Sequence, residues 1–361
     1  MSNFRAIGLV AAAVLAASPA WATSDTEDKS QTTFQQGEKV MGPHQLRVLG
    51  GMVANGIANR VGEATRGTGL VERAAGEEPS TVAGSEPGTG LSAGEQMTGM
   101  SAGSNAGRLG IWVSGGWTQY EDDLASTAYH GDAYNVLAGG DYQFNDRFIA
   151  GLALGYESSD VDTIFNNGNL NSDGFTIAPY AGYVLNRYFS IDVSGGYSWI
   201  DYGQRRTAAG GTVSAENDSN RWFGSANLNG FYAVDRVVLS GKVGYLYTEE
   251  EQEGYVESDG TVNTANTVDL GQLRAGGQVG YDLGKVQPYV TGSYVYDIQH
   301  ELLKVGPGQA QPANDRSGFD VGGGIRFALS DRVSGGIQGT KHLGRENFDS
   351  TAVNGNLRIK F

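Results

Sequence analysis

The chain has 361 residues, with 56 glycines, 18 tyrosines, no cysteine, only 18% charged residues and a formal net charge of −15. That charge argues against nucleic acid as a partner, because phosphate recognition needs a cationic surface. The missing thiols exclude disulfides, thiolate metal sites and a cysteine nucleophile. Many small residues, abundant tyrosine and few charges point instead to β-structure with an aromatic belt.

Residues 1–22, "MSNFRAIGLVAAAVLAASPAWA", combine Arg5, an apolar run over 6–17 and the small residues Ala20 and Ala22 flanking Trp21. This order of basic start, apolar run and A-x-A predicts a signal peptide cleaved after Ala22 and export through the inner membrane. No later run of about 18 apolar residues occurs, so a transmembrane helix is not expected. Residues 23–43 are polar and unpatterned, and are read as a disordered segment.

From 44 to 66 the spacing of Leu46, Leu49, Val53, Ile57 and Val61 makes one helical face. Gly50, Gly51 and Gly56 each weaken such a helix by about 1 kcal/mol relative to alanine, so it is expected to need a partner. Residues 67–107 read as a Gly/Ser-rich linker. It contains two G-x-S-x-G matches, centred on Ser92 and Ser101. A nucleophile elbow needs a strand before the serine and a helix after it, and linker composition supplies neither, so no catalytic role is expected.

At Arg108 the pattern changes to period two. Leu109, Ile111, Val113 and Trp117 share a face in the first segment, and Phe148, Ala150, Leu152, Leu154 and Tyr156 in another. Near the end Phe319, Val321, Ile325, Phe327 and Leu329 do the same, and the opposite faces carry glycine and charge. Short turns at 145–147, 186–187, 235–236, 284–285 and 330–332 alternate with longer polar segments near 121–130, 160–171, 204–218, 250–265, 299–314 and 344–348. Five short and six long connections join twelve strands, the arrangement of an antiparallel transmembrane β-barrel. Lys242, Arg274, Asp282, Asp320, Arg326, Arg358 and Lys360 fall on the polar face; a small dry core could not hold them, whereas a watery lumen could. This weighs against a soluble sandwich or a lipocalin-like barrel. By the same phase Leu152 faces lipid and Gly151 the lumen, where a large cation should be milder.

The final letters "NLRIKF" keep the alternation to the last residue, with Leu357, Ile359 and Phe361 on one face. In a closed barrel such a strand pairs with the first one and leaves no edge. These three residues are read as the C-terminal assembly signal recognised by the barrel-assembly machinery. Gly355 lies six residues before the end, one earlier than is usual for that signal, and Asn356 holds the usual place.

With "GIWVSGG", "GDYQFNDRFIAGLALGYESS", "DGFTIAPYAGYVLNRYFSIDVSGGYSWIDY", "LGQLRAGGQVGY" and "LRIKF" in this order over 108–361, the chain resembles the translocator domain of autotransporters, the type V secretion family. The resemblance implies a twelve-stranded barrel whose pore holds a helix leading to an exported passenger. Two features depart from that plan. About twenty residues separate Ala22 from the helix, too few for a folded passenger, and about forty separate the helix from the first strand.

The remaining candidates are weaker. His44, His130, His300 and His342 are scattered and have no metal-ligand spacing, so solvated or interfacial roles are expected. "TEEEQEGYVESDG" could bind divalent cations beside lipopolysaccharide, and is read rather as a solvated charge run. Trp112, Trp117, Trp199, Trp222, Tyr142 and Tyr183 read as interfacial girdle or barrel packing. The expected protein is a monomeric, non-enzymatic outer-membrane barrel without cofactors, in contact with lipid and lipopolysaccharide. The helix is expected in the pore, with Arg47, Arg60, Glu63 and Arg66 meeting Arg274, Asp282, Asp320 and Arg326. The alternative is an adhesin or ligand-binding surface protein that acts through its outer loops.

Overall fold

The structure, a computed structural model, describes residues 43–67, 108–300, 312–330 and 332–361. The signal peptide with Ala20 and Ala22, the polar segment before residue 43, the linker and its two G-x-S-x-G matches lie outside the described residues.

Helix α1 (Pro43–Gly67) starts at a proline, which fits a first helical position, and ends at a glycine. The strands are β1 (Leu109–Asp122), β2 (Tyr129–Gln143), β3 (Phe148–Thr163), β4 (Gly168–Val184), β5 (Phe189–Ala208), β6 (Gly211–Val234) and β7 (Val237–Gln252). They continue with the small hairpin β8 (Tyr255–Val256) and β9 (Val262–Asn263), then β10 (Asn266–Tyr281), β11 (Val286–His300), β12 (Ser317–Ala328), β13 (Val333–Arg345) and β14 (Phe348–Lys360).

All strands but β8 and β9 form one closed twelve-stranded barrel. Each pairs antiparallel with its neighbours, and β14 closes on β1 with Ile111 opposite Ile359 and Gly110 opposite Lys360. The Phe361 backbone N–H continues this seam by donating to the Leu109 carbonyl at 3.0 Å. The barrel wall itself is closed by this seam.

Local chemistry explains the short turns. The Asn145 side chain accepts from the backbone N–H groups of Arg147 and Phe148, and Asn186 accepts from those of Tyr188 and Phe189. Both are turns closed by an asparagine oxygen. Asp235 takes a left-handed conformation, φ 52°, in the two-residue link from β6 to β7. Asp282, read above as a lumen charge, lies in the β10–β11 turn and accepts the Gly284 N–H at 2.7 Å.

The other end departs from the sequence reading. The polar stretch 204–218 is not a loop: β5 and β6 pair without a break from Thr207–Thr212 to Asp201–Asp218. Asn167 and Asn347 make tight turns through positive φ, and the acidic stretch after residue 248 starts as strand, Glu249–Gln252, before the β8–β9 hairpin.

The outward face is apolar. Leu109, Ile111, Val113, Leu152, Leu154, Val290, Ile325 and Ile337 are all exposed there. Aromatics ring both ends: Tyr142, Phe144 and Phe148 cluster near the short turns, and Phe175, Tyr197 and Trp199 nearer the other end. On β3, Phe148 and Tyr156 are eight residues apart, about 27 Å along the strand and about 20 Å in height at the usual tilt of about 40°, within an outer-membrane apolar band of about 25 Å. Trp112 belongs to neither ring. It points inward and is 2% exposed.

Candidate functional site

The site is the interior of the barrel, occupied by α1. Its 25 residues extend about 37 Å, enough to pass through the membrane thickness. Leu46, Leu49, Val53, Ile57 and Val61, the stripe visible in the sequence, are all buried. Toward the loop end, Leu46, Val48 and Leu49 pack in one cluster with Tyr120, Tyr129, Ile200, Leu270, Tyr255 and Phe348. Toward the short turns, Val53, Ala54, Ile57 and Val61 pack with Trp112, Leu137, Tyr180, Phe223 and Leu246. Burying each Leu, Ile or Val contributes roughly 1.5–3 kcal/mol, which is what a glycine-containing helix lacks by itself.

The glycines mark close approach. A Cβ on Gly56 would lie 2.8 Å from the Leu137 side chain, and one on Gly50 3.1 Å from Thr248. On the wall, a Cβ on Gly182 would lie 2.8 Å from Thr65 and 2.9 Å from Val61. Helix and wall therefore touch at backbone distance. Gly151, taken above as a tolerant lumen position, is a further tight point: its Cβ would meet the Gly140 carbonyl at 2.4 Å and the Tyr180 ring at 2.5 Å.

Ion pairs fix the helix axially, through carboxylates that differ from those expected. Arg47 bonds Asp297 with Nη2 at 2.6 Å, and Arg60 bonds Asp141 at 3.0 Å. Arg345 also reaches Asp297, at 2.9 Å, and Arg358 reaches Asp141 at 2.5 Å. The expected partners are engaged elsewhere. Arg274 pairs with Asp320, which also bonds His342, and Arg326 donates to Gln287 and Gln278. Lys242 does reach the helix, at the Asn59 side-chain oxygen, 2.8 Å away. The side chains of Glu63 and Arg66 are outside the described residues.

A third cluster stands in the wall. Arg221, 1% exposed, bridges Glu157 at 2.7 Å and Glu250 at 2.8 Å, and Tyr202 and Ser219 donate to Glu250. Glu250 and Glu257, which pairs with Arg206, are thus buried structural acids, so the acidic stretch is not simply solvated. His342 is likewise an interior group, bonded to Asp320 and Arg345, whereas His130 and His300 bond Gln119 and Asn314. Among the described residues no group of His, Cys, Asp or Glu is arranged to hold a metal.

The helix does not fill the lumen. A cavity of about 350 Å³ lies along its Arg47–Asn59 side, lined mostly by β10–β14 through polar groups such as Gln272, Gln278, Thr291, Gln338 and Asn354, and also by Asn135 of β2, Ser190 of β5, Asn229 of β6 and Lys242 of β7. Leu357, Ile359 and Phe361 are outward and exposed at the short-turn end of the seam.

A closed twelve-stranded barrel with an internal helix has known counterparts. The family model described as "Autotransporter beta-domain" matches residues 111–340, well over half of the chain. The chain belongs to the autotransporter β-domain family. Autotransporter translocators solved elsewhere share the fold. The translocator domain of NalP from Neisseria meningitidis superposes with TM-score 0.62 at 13% identity, over 70% of this chain and 88% of that one. The β-domain of the Bordetella autotransporter BrkA gives 0.60 at 17%, over 71% of this chain and all of that one. In sequence, the chain is 26% identical to Esterase EstA of Pseudomonas aeruginosa over 210 residues, 55% of this chain but 31% of that protein. It is also 26% identical to the 25 kDa outer-membrane immunogenic protein of Brucella abortus, over 44% of this chain and 72% of that one. The chain thus spans about a third of the length of the esterase, and carries an autotransporter translocator barrel of the outer membrane.

Proposed function

We propose that α1 is the trailing part of an exported N-terminal segment, retained in the pore as its plug. The observation that carries this is direction. Leu46, near the start of the helix, packs with Tyr255 and Phe348 at the loop end, while Thr65 meets Ser190 and Gly182 near the short turns. In an outer-membrane barrel the long connections face outward and the short turns face the periplasm. A helix so oriented leads its preceding residues out of the cell. Residues 1–22 act as the cleaved export signal in this reading, and residues 23–43 emerge at the surface.

The test uses the absence of native cysteine. A single Ser30→Cys variant should react with a membrane-impermeant maleimide on intact cells. Labelling only after the outer membrane is broken would overturn the proposal.

The proposed partners are outer-membrane lipid and lipopolysaccharide around the apolar face and the barrel-assembly machinery at Leu357, Ile359 and Phe361. Deleting Phe361 should lower heat-modifiable barrel in the outer membrane and leave a protease-sensitive periplasmic chain. Normal amounts of barrel would refute the assembly role.

A further inference from the structure

The void beside α1 carries a charge opposite to that of the molecule. The chain as a whole is acidic, at −15, yet Arg47, Arg60, Lys242, Arg274 and Arg326 line the void against one lining carboxylate, Asp320. Asp297 and Asp141, which hold Arg47 and Arg60, bring the acids to three, still fewer than the five cations. Amide oxygens of Asn59, Gln278 and Gln287 help to hold the Lys242 and Arg326 heads, and the Arg326 guanidinium lies 4.3 Å over the Tyr289 ring.

The void also spans the height of the barrel. Its lining includes Phe189, the first residue of β5 at the short-turn end, and Phe348, the first residue of β14 at the loop end. Between low-dielectric walls a row of cations concentrates anions and repels cations, and basic side chains are how pores select anions. A flanking helix narrows the path and keeps every passing ion close to these side chains.

We propose that the gap beside α1 is an anion-selective conduit for small inorganic anions and carboxylates. It rests on α1 staying in the lumen and not on export of the N-terminal segment. The test is the reversal potential of the full chain in planar bilayers under a KCl gradient. Chloride should be favoured over potassium by at least about 2-fold at 0.1 M salt, and the preference should shrink toward 1 M as the screening length falls from about 10 to about 3 Å. Lys242→Gln should reduce the ratio, and Lys242→Gln with Arg326→Gln should bring it close to one, with heat-modifiability confirming that each barrel is folded. Cation preference in the full chain, a ratio indifferent to salt, or a ratio unmoved in the folded variants would overturn the proposal. So would a silent full chain; if removal of α1 then opened conductance, the helix would stand as a plug and the conduit alone would fall.

Discussion

The two sides of the lumen meet α1 in opposite ways. Strands β2–β7, with Trp112 of β1, present Leu137, Ala153, Ala178, Tyr180, Phe223 and Leu246, and the apolar stripe of the helix packs against them. Strands β10–β14 present glutamine, threonine, arginine and asparagine across a cavity of about 350 Å³. The first wall packs the middle of the helix, whereas the second holds it near its start, through Leu270, Phe348 and Asp297, and leaves room beside the rest. Stability and passage are therefore assigned to different arcs of one sheet, and substitutions on the two arcs should be separable by experiment.

Removing residues 44–66 should have the largest effect: single-channel conductance should rise severalfold and the barrel should unfold in less denaturant, since both the plug and its apolar contacts go. Unchanged conductance would mean that the wet side already carries all of it. Asp141→Ala comes next. It leaves the guanidiniums of Arg60 and Arg358 facing each other in a buried place, and breaking such a pair costs about 3–5 kcal/mol in unfolding experiments. Near-normal stability would show that water reaches that site.

The comparison is sharpened by Ile57→Ala against Asn59→Ala, two residues apart on the same helix. Ile57 is fully buried on the dry side and should lose about 2–5 kcal/mol; Asn59, facing the void and bonded to Lys242, should lose about 1 kcal/mol. Equal losses by denaturant titration would abolish the distinction between the arcs. The outer surface should ignore that distinction. Leu152→Arg on β3 and Val290→Arg on β11 each stand four residues in from the short-turn end of a strand and face lipid. Both should cost roughly 2–4 kcal/mol in bilayer refolding. A large difference between them would show that the wet arc sits in a different depth of lipid.

Much of this was legible because lipid imposes one strict rule, apolar outside, on every spanning residue. Leu109, Ile111, Leu152 and Val321 obey it, and so does the helix stripe from Leu46 to Val61 for the same reason of burial. Where the rule lapses, the reading lapsed. Beyond the membrane one face of β5 and β6 is covered by polar contacts, Arg206 with Glu257 and Ser214 with Ser258, so residues 204–218 are polar on both faces and read as a loop although they are paired strand. Interior pairings were illegible for a different reason. Periodicity says that Arg47 and Arg60 face inward or outward, but the carboxylate each one meets depends on the height and rotation of the helix, and these are set by contacts such as Gly56 on Leu137. Trp112 shows the limit for aromatics: alternation places it opposite Ile111, and its packing role follows only from the tyrosine that accepts its indole N–H, Tyr180, at 2.7 Å.

Arg358 of the last strand crosses over β1 to reach Asp141 of β2, passing Gly110, where a Cβ would lie 2.6 Å from the guanidinium. The same carboxylate takes Arg60 from the helix. The closing seam and the docked helix thus share one negative charge, and their equilibria are linked. Whatever free energy the helix contributes to holding the seam shut, the shut seam returns to holding the helix, by reciprocity. A barrel whose helix has left accordingly has Arg358 without Arg60 on Asp141, and a changed junction between its first and last strands.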